Sequence, residues 1–237
     1  ILRLFYPKTY KDENVSFLGM QLKNRLGTAA GLDKNGDYID ALGELGFGFL
    51  EVGTVTPLAQ SGNRKPRVFR NYKENSIVNR LGFNNKGVDY LVNNLKNRNF
   101  KGVLGVNIGP NKDSIGDDRI NDYLICLKKV NKHADYITIN ISSPNTPNLR
   151  DLHNQEDLSV LIDAIDKCIK DLGINKPIFI KISPDESDNT ISNIISHIEN
   201  SSLSGIIATN TTIDKSMLAN EEIKLIDGGL SGEPLMN

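Results

Sequence analysis

The segment Asn140-Ile-Ser-Ser-Pro-Asn-Thr-Pro147 follows a β-branched run and carries two amides and several hydroxyls on a loop stiffened by Pro144 and Pro147. Alone, it reads equally well as a turn whose side chains bond their own backbone. Asparagine recurs at other strand or loop ends, giving the set Asn79, Asn107, Asn140, Asn145 and Asn210. Each amide presents one acceptor and a two-proton donor on a neutral group, a donor set suited to a flat imide or amide ring. Lys181 stands inside an apolar run, where a lysine turned inward needs a counter-charge or a ligand; turned outward it would snorkel to solvent. Lys34, in Ala30-Gly-Leu-Asp-Lys34, poses the same alternatives.

The elements that must hold these residues follow from periodicity. Apolar or β-branched runs at 26–31, 49–55, 102–108, 136–141, 177–182 and 205–209 alternate with helical patterns near 38–45, 88–97, 120–131, 158–172 and 190–198. Such a βα repeat implies parallel strands. Asp33, Lys34, Thr54, Asn107, Asn140, Lys181, Thr209 and Asn210 all fall at or just past the C-terminal ends of these strands, which a (β/α)8 barrel gathers around one pocket. Residues 15–22, apolar around a central glycine, predict a short β-hairpin ahead of the main fold. A closed barrel needs eight strands, and the chain stops after Gly228-Gly-Leu-Ser-Gly-Glu-Pro234. The expectation is therefore an α/β (β/α)8 TIM barrel preceded by a β-hairpin, with roughly the last two βα units absent. It forms a single domain over 1–237, truncated at both ends.

Composition narrows the function. With 38% hydrophobic and 24% charged residues and a net charge of -1, the chain is globular and carries no basic footprint for nucleic acid, leaving a small molecule as the expected partner. Cys126 and Cys168 lie in amphipathic stretches and read as packing residues, and His133, His153 and His197 stand too far apart to suggest a metal site. No apolar run reaches the roughly 20 residues of a membrane span. Gly43, Gly46 and Gly48 follow a helix and do not open one, so they read as a cap and not as a dinucleotide fingerprint. Gly228 to Gly232 could expose N–H groups to a phosphate, weak evidence by itself.

Read together, Ala30-Gly-Leu-Asp-Lys34, Glu51-Val-Gly-Thr-Val-Thr-Pro57, Lys65-Pro-Arg-Val-Phe-Arg70, Asn79-Arg-Leu-Gly-Phe-Asn84, the 140–147 segment and Gly228-Gly-Leu-Ser-Gly232 resemble the class 2, quinone-linked dihydroorotate dehydrogenases, over residues from about 18 to the end. The resemblance implies oxidation of dihydroorotate to orotate in pyrimidine (UMP) synthesis, with FMN as cofactor. It places FMN against Ala30, Gly31, Lys34, Thr54, Asn107, Asn140, Lys181, Thr209 and a loop holding Ser231 and Gly232. It places the pyrimidine against Lys34, Asn79, Arg80, Leu81, Gly82, Phe83, Asn140, Asn145, Asn210 and Thr211. Ser143 takes the position of the catalytic base, with Thr146 a candidate helper, and no metal is implied. Arg70 matches a position lining the quinone tunnel.

The resemblance also implies peripheral contact with a membrane, through an N-terminal helical extension for which residues 1–10 are too few. The surface would be the cytoplasmic side of a bacterial inner membrane, or the mitochondrial inner membrane in a eukaryote. Rival readings are a soluble class 1 enzyme using fumarate or NAD, an FMN barrel reducing uracil in RNA, and an inactive barrel-derived binding protein. Class 1 enzymes typically carry Cys where Ser143 stands, no basic patch serves RNA, and the presence of both Ser143 and Lys181 argues against lost activity. The stretch 212–227, between two site segments, is a candidate lid.

Overall fold

Strands buried on both faces read as continuous apolar runs, and here they become a parallel sheet. The computed structural model describes residues 14–145 and 155–236. Its chain order is β1 (Val15–Phe17), β2 (Met20–Leu22), α1 (Ile39–Gly43), β3 (Phe49–Val55), β4 (Val68–Asn71), β5 (Ser76–Asn79), α2 (Val88–Asn97), β6 (Val103–Ile108), α3 (Gly116–Val130), β7 (Tyr136–Asn140), α4 (Gln155–Leu172), β8 (Ile178–Lys181), α5 (Asp188–Glu199), β9 (Gly205–Ile207), α6 (Glu221–Lys224) and β10 (Gly229–Gly232). Five strands pair in the parallel order β3-β6-β7-β8-β9, and a parallel bridge from Gly27 to Phe49 marks a sixth position beside β3.

Alternation along each strand separates two interiors. Leu50 and Val52 on β3, Leu104 and Val106 on β6, Ile137 and Ile139 on β7, and Ile178 and Ile180 on β8 face the helices and join one large core. The helices meet them at helical spacing: Val88, Leu91 and Leu95 on α2, and Tyr123, Cys126, Leu127 and Val130 on α3. Both cysteines are buried and unbridged, as the packing reading expects. Asp117 and Asp118 in the first turn of α3, with Lys128 and Lys129 in its last, complement the helix dipole. Ser187 caps α5 by accepting the Thr190 N–H.

The opposite faces of the same strands form the inner side of the array. At its N-terminal end Val103, Tyr136 and Phe179 pack with Leu22, and Met20 and Val15 of the hairpin close over them. Phe17 stacks on Phe179 with centroids 6.3 Å apart. The hairpin expected from 15–22 is thus the floor of the array, turned by Leu18 and Gly19 at positive φ. Gly105 belongs to this inner face. A Cβ there would lie 2.0 Å from the Tyr136 ring, so only glycine lets that ring cross β6.

A second sheet was not expected. β4, β5 and β10 form an antiparallel array in the order β10-β5-β4, although 228–232 reads as a glycine-rich stretch that could face a phosphate. The glycine-rich stretch is a strand, registered from Gly229 opposite Asn79 to Gly232 opposite Ser76. Val78 and Leu230 pack beneath it with Leu218, so the 212–227 stretch has its own small core, reinforced by Thr212 bridging Leu230. The strand expected over 26–31 contracts to the Gly27 bridge. No helix among the described residues is long and apolar enough to cross a membrane.

Gly105→Ala is expected to destabilise the fold by about 1–3 kcal/mol, as overpacking does, in urea unfolding followed by circular dichroism. An unchanged midpoint would mean that Tyr136 has room to move.

Candidate active site

Polar side chains collect where the parallel strands end. Thr54, on β3, donates its hydroxyl to Asn107 Oδ1 at 2.7 Å, across to β6. Asn140, at the end of β7, donates from Nδ2 to Thr54 Oγ1 at 3.0 Å. Asn210, beyond β9, donates to Asn140 Oδ1 at 3.3 Å and to Ser142 Oγ at 3.1 Å, while its own Oδ1 takes the Thr211 N–H at 2.8 Å. Thr209 turns its hydroxyl onto the Asn210 carbonyl. Four sequence-predicted residues, three on strands and one beyond β9, are therefore one hydrogen-bonded chain.

A second group sits where the antiparallel sheet approaches these ends. Asn145 donates to the Asn79 backbone carbonyl at 3.2 Å and to Asn79 Oδ1 at 3.3 Å, and Asn79 reaches the Gly229 carbonyl. The Asn145 N–H meets Ser143 Oγ at 3.3 Å, a side-chain turn that fixes the loop. Ser143 is 5% exposed, and its hydroxyl donates no hydrogen bond among the described residues. Thr146, the candidate helper, lies outside the described residues, as do residues 1–10.

The electrostatics are one-sided. Lys181, paired in register with Asn140, is 7% exposed, so it faces inward and does not snorkel. Burial lowers its pKa, opposed by the negative charge of Glu51. Lys34 is pulled down to about 8 by burial, by Arg67 and by Lys181, which places these three cations around one space. Neither ammonium donates a hydrogen bond among the described residues. Six N–H protons on two charged groups thus lack acceptors, an arrangement that favours an anion.

Several predicted residues take supporting positions. Asp33 turns its carboxylate to the N–H groups of Asn35, Asp37 and Tyr38, anchoring the loop that presents Lys34. Gly31 donates to the Gly53 carbonyl, setting Ala30 and Gly31 beside β3. The carbonyls of Leu81, Gly82 and Phe83 accept from Asn63, Gln60 and Asn85, and the Phe83 side chain joins the main core. The Arg80 guanidinium donates to the Pro66 carbonyl and lies over the Phe69 ring, 5.2 Å from its centroid, so its charge is held by the 66–69 segment.

Ser231 and Gly232 belong to β10 and not to a loop, with Ser231 opposite Ile77, two positions along the strand from the Gly229–Asn79 pair. Arg70 is exposed on β4, opposite the same Ile77. Glu51, Arg67, Tyr136 and Thr138 were not singled out in the sequence, though all four stand close to this chemistry.

The dihydroorotate dehydrogenase family model matches residues 13–237. A protein of Pseudoalteromonas atlantica named dihydroorotate dehydrogenase (quinone) is 50% identical over 99% of this chain and 71% of its own length. One of the same name from Neisseria meningitidis is 50% identical over 95% of the chain and 68% of its own. The ligand-free dihydroorotate dehydrogenase of Eimeria tenella superposes with a TM-score of 0.88 at 37% identity, covering 97% of this chain and 70% of that one. With the strand-end asparagines, the inward lysine and the parallel array already in place, these matches show that the chain belongs to the dihydroorotate dehydrogenase family.

Proposed function

We propose that this chain oxidises dihydroorotate to orotate and passes the electrons to a membrane quinone, in de novo synthesis of UMP. The observation that carries the reading is the pair of ammonium groups of Lys34 and Lys181, without acceptors among the described residues, at the same strand ends as Ser143 and the asparagines. Relatives about half identical carry the quinone-dependent name. The family is flavin-dependent, and FMN is the form proposed here. The residues fit it: a reduced flavin bears negative charge, which Lys181 meets, while Thr54, Asn107, Asn140 and Thr209 offer donors and acceptors for a flat ring. Ala30, Gly31, Ser231 and Gly232 complete the proposed contacts. The strand-paired form of Ser231 and Gly232 makes them a wall and not a wrapping loop. When bound, FMN accepts hydride and delivers electrons to quinone.

The chain's own residues do the rest. Ser143 takes the proton from C5 of dihydroorotate as hydride leaves C6, and the new C5–C6 double bond makes orotate. Asn79, Asn140, Asn145 and Asn210 read the ring edges through amide donors and acceptors, with Thr211 beside them. Lys34 holds the substrate carboxylate. Arg80 to Phe83 form the wall next to it, Arg80 as a brace since its guanidinium is committed to Pro66. Burial of Ser143 keeps water from the reacting carbons.

Arg70, on the exposed outer part of the antiparallel sheet, is proposed to border the route of the quinone. We take the whole fold to be a (β/α)8 barrel, with 1–237 in one FMN-binding domain. Its membrane contact is peripheral, on the cytoplasmic face of a bacterial inner membrane or on the mitochondrial inner membrane in a eukaryote.

The direct test is anaerobic mixing of FMN-loaded protein with dihydroorotate, followed by quinone, fumarate or NAD in separate portions. Bleaching of the flavin restored chiefly by quinone is expected, and absence of bleaching removes the assignment. Ser143→Ala should retain FMN and slow flavin reduction roughly 10²-fold or more; unchanged reduction takes Ser143 out of the mechanism. Lys34 also sets a pH dependence. Its charged form binds the carboxylate and is lost as pH rises through about 8, so the dihydroorotate dissociation constant should be flat below that pH and climb above it. Lys34→Arg, charged throughout, should abolish the climb.

A further inference from the structure

Glu51 has no part in the scheme above, yet it sits beneath it. It lies on the inner face of β3, 5% exposed. Its carboxylate takes hydrogen bonds from Asn107 Nδ2 at 3.0 Å, the Tyr136 hydroxyl at 2.9 Å and Thr138 Oγ1 at 3.1 Å. A carboxylate can only accept, so all three partners must donate. Burial and the charge of Glu51 hold the Tyr136 hydroxyl well above its ordinary pKa, and it keeps the proton it donates.

The consequences run outward. With Nδ2 committed to Glu51, Asn107 turns Oδ1 to the Thr54 hydroxyl, which donates to it at 2.7 Å. Thr54, its one proton used, meets Asn140 only as an acceptor and receives Nδ2 at 3.0 Å. Asn140 must then point Oδ1 the other way, where Asn210 Nδ2 and the Ser142 N–H donate to it. A neutral amide at position 51 would remove this compulsion, because Asn107 could turn over and every later group could reverse.

We propose that Glu51 is a positioning residue for the pyrimidine pocket, setting the direction of the Asn107–Thr54–Asn140–Asn210 hydrogen bonds. The proposal rests on the reading of this pocket as the dihydroorotate site. It distinguishes direction from packing, since Glu51→Gln preserves shape while removing the obligation to accept, and the double variant below returns the lost negative charge at position 107.

The test measures orotate binding to FMN-loaded protein through the change in flavin absorbance, beside the thermal midpoint of the FMN-free protein. Glu51→Gln should weaken orotate by about tenfold or more, the scale of a lost hydrogen bond to a charged group. Asn107→Asp alone sets two carboxylates against each other and should weaken it too. The double variant Glu51→Gln with Asn107→Asp should recover most of the loss. In it the amide introduced on β3 donates to the carboxylate introduced on β6, whose other oxygen accepts from Thr54 as the native amide oxygen did. Strictly additive losses in the double variant, or orotate affinity unchanged in Glu51→Gln, overturn the proposal. A lowered midpoint with full orotate affinity overturns it as well, by making Glu51 structural only. If the unaltered protein binds FMN but not orotate, the functional reading falls. The direction of the chain is then judged by whether the double variant restores the midpoint.

Discussion

A carboxylate buried on the inner face of a parallel sheet must be met by donors, and the two strands next along from Glu51, β6 and β7, are arranged to supply them. An uncompensated buried charge costs several kcal/mol, and breaking such a network from one side typically costs about 3–5 kcal/mol. Tyr136 reaches Glu51 from β7 because β6 offers glycine at position 105, where any side chain would strike its ring. Thr138, two residues along β7, occupies the next inward position. The inner face is therefore layered: an aromatic floor sealed by the hairpin, then one anion with its donors, then the amides at the strand ends. Each layer fixes the rotamers of the one above it.

The pocket has two walls of different character. The floor belongs to rigid parallel strands with helices packed behind them. The other wall is the short antiparallel sheet, joined to the floor by Asn145 on Asn79 and by Thr212 on Leu230. Asp185, after β8, takes the Thr212 hydroxyl and the Ile213 N–H, tying the start of the 212–227 stretch to the strand ends. A site built this way holds a ring's edges by the rigid floor while a smaller, less deeply packed unit covers it. Motion, where it is needed, is drawn from the unit with the smaller core.

Most of the parallel array was legible because its signals are local. β3 was read at its full length from its apolar and β-branched residues, and α2 from Val88, Leu91 and Leu95. The antiparallel sheet was not legible, since its strands are four residues long and β10 pairs with β5 some 150 residues earlier. Glycines that suggest a loop instead permit close strand contact: a Cβ at Gly229 would lie 1.9 Å from Thr211 Oγ1. Within the site, Ser143, Lys181 and the asparagines stood out by position at strand ends. Glu51 did not, although the argument made for Lys181, a charge inside a buried strand, applies equally to it. Arg67 was hidden because only the fold brings it to Lys34.

The cations explain why this architecture suits redox chemistry on an anionic substrate. Arg67 and Lys181 raise the cost of charging Lys34, and Glu51 is a counter-charge to Lys181. Any ligand that brings negative charge into the space relieves that repulsion and strengthens its own binding by the same amount. The carboxylate of a bound pyrimidine and the negative charge gained by a reduced flavin would both draw on this reserve. Lys181 would meet the flavin and Lys34 the substrate carboxylate, so one field would serve both. The placement of one buried acid below and, above it, two ammonium groups without acceptors among the described residues thus orients the pocket electrostatically before any ligand arrives, which is the form of preorganisation that transition-state stabilisation requires.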